Sequence, residues 1–125
     1  MHKIFFLIIT FGFINLANAN SLYFTASYLK APETKALETK QHIFINKNAV
    51  IKYRNIHYHL LLKKCDEANI QIEHETYLFD GENKSFLSAG IWSGTVKDQM
   101  ILRQYNNKKK LVFQFTVIPT KIKKD

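Results

Sequence analysis

From residue 21 onward, apolar and polar side chains alternate one by one through most of the chain. In "SLYFTASYLK", Leu22, Phe24, Ala26 and Tyr28 fall on one face and Tyr23, Thr25 and Ser27 on the other. Successive side chains of an extended strand point to opposite sides, so this alternation marks a strand with one buried face. The same period recurs in "QHIFIN", "AVIKY", "NIHYHLLLK", "IQIEHETYLF", "SFLSAGIWSG", "DQMILRQY" and "LVFQFTVI".

Turn chemistry separates these runs. Lys47-Asn48 predicts a two-residue hairpin connection, because asparagine tolerates positive φ. Arg54-Asn55 precedes the next run, Asp80-Gly81 is a strong turn signal, and "NNKKK" (residues 106–110) turns the chain before the last strand. The segment "APETKALETKQ" (residues 31–41) is short and polar, which predicts a loop or a single turn. Gly90 and Gly94 predict bulges or bends. Pro119 lacks a ladder donor, so the last strand is expected to be an edge or to end there. The expected fold class is all-β: an antiparallel β-sandwich or small open barrel of about eight strands, preceded by a cleavable N-terminal signal helix. The expected edges are the first strand (Leu22 to Leu29) and the last with its basic tail (Leu111 to Lys124).

The first nineteen residues follow a different pattern. Lys3 supplies a positive start, an apolar run extends from Ile4 to Leu16, and Ala17-Asn18-Ala19 places small residues at −3 and −1 of a cleavage site. This is the layout of a secretory signal peptide, and the run is shorter than the roughly 20 residues of a membrane-spanning helix. Residues 1–19 are therefore expected to be a signal peptide and residues 20–125 a single β domain, exported to a periplasm or secreted.

Composition narrows the function. One cysteine makes no internal disulfide, so the core has to hold the fold unaided. Cys65 sits in "LKKCDEAN", which reads as an exposed turn. Without Lys3, 17 Lys and Arg stand against 10 Asp and Glu, a net charge of +7. Such a surface suits acidic partners, including anionic headgroups, acidic glycans and acidic proteins. Nucleic acid is not expected as a partner of an exported chain.

The densest chemistry lies in "IHYHLLLKKCDEANIQIEHETY" (residues 56–77). Ile56, Tyr58, Leu60 and Leu62 should share a buried face with Ile70 and Ile72. In an antiparallel pair the residue numbers of partners have a constant sum, so an even sum near 132 or 134 is required. His57, His59, Glu73 and Glu75 then share the opposite face, with His59 across from Glu73 or Glu75. Imidazole and carboxylate groups so placed are candidate ligands for zinc or another divalent ion. The alternative is a solvated sheet face. His74 falls on the apolar side, where it is expected to be hydrogen-bonded and partly buried.

Catalytic patterns are not seen. "GIWSG" (residues 90–94) has Trp92 at the serine position of a nucleophile elbow, and no helix is predicted after it. No glycine-rich phosphate loop and no H-E-x-x-H motif occur. No cofactor and no enzymatic activity are expected. "FLSAGIWSG" followed by "LVFQFTVIPTKI" is similar to a β-rich segment of secretin-type envelope proteins. In that family a leucine–serine–alanine–proline turn precedes a closing strand that ends near a proline; Gly90 stands here where the family has the proline after the alanine. The resemblance implies a part in an envelope assembly and transfers no functional residue. The expected function is a non-enzymatic binding or interaction module of the cell envelope or extracellular space. Its expected partner is another envelope or extracellular protein, or an anionic surface. The alternative is a small-ligand or metal carrier using His57, His59, Glu73 and Glu75.

Overall fold

A computed structural model describes residues 20–124; the expected signal helix lies outside the described residues. Eight strands follow one another: β1 (Ser21–Lys30), β2 (Leu37–Phe44), β3 (Asn48–Tyr53), β4 (Ile56–Cys65), β5 (Ile70–Asp80), β6 (Asn83–Gly94), β7 (Met100–Tyr105) and β8 (Leu111–Lys123). They form two four-stranded sheets, in the orders β2-β1-β8-β7 and β3-β4-β5-β6, with every strand pair within a sheet antiparallel. Two separate sheets define a sandwich rather than a closed barrel. No helix among the described residues is long and apolar enough to cross a membrane.

The core lies between the sheets and is built by the predicted alternation. Leu22, Phe24, Ala26 and Tyr28 of β1 meet Ile56, Tyr58, Leu60 and Leu62 of β4, together with Ile70, Ile72, Phe113, Phe115 and Val117. Aromatic rings span the gap between layers. Tyr58 of one sheet stacks on Phe115 of the other at 3.9 Å between centroids, and Tyr28 stacks on Tyr53 at 4.6 Å.

Several sequence expectations are corrected. The edges are β2, β7, β3 and β6, while β1 and β8 are the two central strands of their sheet. Residues 37–41 belong to β2 instead of a loop. This strand pairs along β1, and polar Thr39 and Gln41 stand opposite buried Ala26 and Phe24, so the first half of the strand shows no apolar alternation. The Lys47-Asn48 hairpin does not form either, because β2 and β3 lie in different sheets. Asn46, at φ 60°, turns the chain across the sandwich, and its N–H donates to Leu62 O at 2.8 Å. A two-residue connection forms instead at Arg54-Asn55, between Tyr53 and Ile56.

Strand β8 continues past Pro119 to Lys123. The β7 ladder ends at Met100 opposite Val117, and Pro119 O accepts from Lys97 N on that side at 2.8 Å. In an antiparallel strand the N–H and C=O of one residue point the same way. The missing proline N–H is therefore on the side where the ladder has already ended. A register shift beside Pro119 turns Lys121 and Lys123 to the outer face and sets Ile122 opposite Leu22. The irregularity in β6 falls at Leu87, not at a glycine.

Cys65 is buried at the end of β4, not exposed in a turn. A register shift between Leu62 and Lys64 reverses the parity of the strand and brings Cys65 opposite buried Ile70. Burial, with Asp66 beside it, pushes the thiol pKa up to about 11.

Candidate functional site

The β4–β5 ladder has the even register that the sequence requires: Ile56 pairs with Leu78, His57 with Tyr77, His59 with Glu75 and Leu61 with Glu73. His57, His59, Glu73 and Glu75 therefore share the outer face of their sheet, and Glu75 is the carboxylate across from His59. The side chains nevertheless have other neighbours. His57 lies against Phe79 at 4.2 Å between centroids, and His59 meets Tyr77 edge-on at 5.1 Å. The Tyr77 hydroxyl donates to Glu75 Oε2, which raises the Tyr77 pKa, and Lys84 Nζ sits 4.0 Å over the Tyr77 ring. Desolvation, then Lys52, His59 and Lys84, lower the His57 pKa. A hollow of about 290 Å³ is lined by Asn48, His59, Glu73 and Glu75, and His59 Nε2 is buried with no hydrogen-bond partner. Among the described residues, no three of His, Cys, Asp or Glu come together in a way that could hold a metal ion.

His74 projects inward as its parity predicts, opposite Leu60 and Gly90. The expected hydrogen bond is missing: Nδ1 is buried without a partner, and burial lowers the ring's pKa. Its neighbours on the inner face include Tyr58 and Thr76, cross-strand partners whose hydroxyls are also buried and unpaired.

The outer edge of this sheet is β6. Its twelve residues carry one charge, Lys84, and no proline. The shift at Leu87 sets Phe86 opposite Tyr77 while Ile91 is opposite Glu73, so both apolar side chains reach the same outer face, each 61% exposed. The other edges differ. β3 and β7 have six residues each, and the eight of β2 include Glu38, Lys40 and His42.

The opposite sheet carries a second constellation that local sequence reasoning did not reveal. Ser21 Oγ and His42 Nε2 are 2.7 Å apart, and His42 stacks in parallel on Tyr23 at 3.9 Å. A serine–histidine pair is one element of nucleophilic catalysis. Here Ser21 is only 1% exposed, and the His42 ring is held between Tyr23 and Phe44. The pair acts as a support for the Tyr23 ring. Residues 21 and 42 meet only through strand pairing, so no spacing in the sequence signals this arrangement.

No protein-family model matches the chain, and no curated protein or solved structure shows significant similarity to it. The two stretches that resemble secretin-type proteins fall in different sheets, residues 86–94 in β6 and residues 111–122 in β8.

Proposed function

We propose that this protein is an exported, non-enzymatic binding module of a cell envelope or the extracellular space, and that β6 receives a strand from a partner protein. The observation that carries this reading is the character of β6. An edge strand presents unpaired N–H and C=O groups, and proteins protect such edges with charge, proline or short length. β6 is the longest edge, with a single charge and two largely exposed apolar side chains. A strand added there would gain ladder hydrogen bonds and cover Phe86 and Ile91, as in other cases of strand addition. The packed interior also favours a surface binder over a carrier with an enclosed ligand. Export rests on the leader-like pattern of residues 1–19. The test is affinity capture from envelope extract with the wild type and a Phe86→Lys/Ile91→Lys variant. A discrete protein retained by the wild type and lost from an equally stable variant supports the reading; equal capture by both, or none by either, opposes it.

The carrier alternative has its own supporting observation, the hollow beside His59 with the unpaired Nε2. A zinc-dependent rise in Tm that disappears in a His57→Ala/His59→Ala variant would favour it. No shift on adding zinc removes the metal form of that alternative.

A further inference from the structure

A hollow of about 520 Å³ lies over the outer face of the β2-β1-β8-β7 sheet. It is lined by Tyr23, Thr25, Lys40, Gln41, Lys121 and Lys123, among others. Strand order assembles it around β1. Lys40 of β2 is opposite Thr25, while Lys121 and Lys123 of β8 are opposite Tyr23 and Ser21. The register shift at Tyr23–Phe24 turns both β8 lysines to this face, and Thr120 Oγ1 donates to Tyr23 O at 3.1 Å.

Two features define the ligand chemistry. The Tyr23 ring is over a third exposed and is held by the His42 stack, with His42 fixed by Ser21. A fixed aromatic ring offers an apolar platform at low entropic cost. Lysines flank it from both neighbouring strands, and the carboxylate on this face, Glu38, lies further along β2 opposite Ser27. The volume is in the range of small-molecule sites and far exceeds what an inorganic anion needs. We propose that this groove binds an acidic saccharide, with a sugar ring on Tyr23 and its anionic groups between Lys40 and the Lys121/Lys123 pair. Thr25, on the same face between Tyr23 and the strand of Lys40, supplies a polar partner for the sugar hydroxyls. The choice of a saccharide over a nucleotide rests on the export reading above. The groove itself is independent of β6, which lies in the other sheet.

The test is calorimetric titration of the purified protein with a sulfated tetrasaccharide and an oligouronate of equal length. Inorganic sulfate, a neutral oligosaccharide and adenosine monophosphate serve as comparison ligands. Both acidic saccharides are expected to bind, more weakly as salt rises. Lys40→Gln/Lys121→Gln/Lys123→Gln is expected to weaken binding about tenfold, as several exposed ion pairs would. Lys108→Gln/Lys109→Gln/Lys110→Gln, with the same change in charge in the β7–β8 turn, is expected to leave binding unchanged. Tyr23→Leu is expected to weaken saccharide binding while leaving its salt dependence intact. The proposal is overturned if neither acidic saccharide binds, if both triple variants lose affinity equally, or if the groove variant keeps full affinity. It is also overturned if sulfate or the neutral sugar binds as well as the acidic saccharides, or if the nucleotide binds more tightly. None of these outcomes touches β6.

Discussion

A Cβ added to Gly90 would stand 3.0 Å from Cε1 of His74 and 3.1 Å from its Nε2. Strand β6 thus leaves room for a histidine ring that β5 turns inward. Gly90→Ala is expected to destabilise the protein by about 1 kcal/mol through crowding. In a His74→Ala background the same substitution should be neutral or slightly stabilising, because an alanine loses less chain entropy than glycine. Urea unfolding of the two single variants and the double variant measures this coupling.

His74 also sets a pH dependence. Burial holds its folded pKa below the ordinary 6.5, so the unfolded chain takes up the proton first as pH falls. Its neutral form therefore leaves stability undiminished above about pH 6.5. Stability then declines as pH drops from there through the lowered folded value. His74→Leu should remove this part of the decline in a series of melting curves. The carboxylates of Glu67 and Asp98, whose folded pKa values are lowered chiefly by hydrogen bonds from Lys124 and Thr95, lose their contribution at lower pH.

Tyr58 separates ring packing from hydroxyl chemistry. Its ring is 1% exposed and stacks on Phe115, while its hydroxyl is buried without a partner. Removing an unpaired buried hydroxyl costs little or relieves a desolvation penalty. Tyr58→Phe should therefore leave Tm unchanged or raise it. Tyr58→Ala should cost roughly 3–5 kcal/mol, as loss of a large core ring does.

Cys65 should react slowly with thiol reagents at neutral pH. The thiolate is the reactive form, and here the thiol is buried with its pKa near 11, its S–H directed at Ser21 O. Labelling should become fast in denaturant. Rapid labelling of the native protein would contradict the buried placement.

The pairing of His59 with Glu75 was legible in the sequence because the apolar face of a hairpin permits few registers. The same parity placed His74 inside. Parity failed where a register shift intervened, as at Lys63, which sends Cys65 inward. It also failed where a strand has little apolar signal, as in the first half of β2, which ladder hydrogen bonds to β1 define. Strand order was the least legible feature. Alternation states which side is buried but not which neighbour is paired, so β1 and β8 read as edges when they lie together at the centre of a sheet. The Tyr23 groove escaped for the same reason: Lys40 and Lys121 reach it from strands far apart in sequence.

Site-specific photo-crosslinking in the cells that make the protein tests the role of β6 most directly. A photoreactive side chain at Ala89 or Ser93 of β6, both exposed on its outer face, is expected to give one discrete adduct with another protein. The same group at Ile101, exposed on the outer face of the opposite sheet's edge strand β7, is expected to give none. Strand addition at β6 is contradicted by no adduct from either β6 position, by an adduct with a second copy of this chain alone, or by equal adducts from β6 and β7.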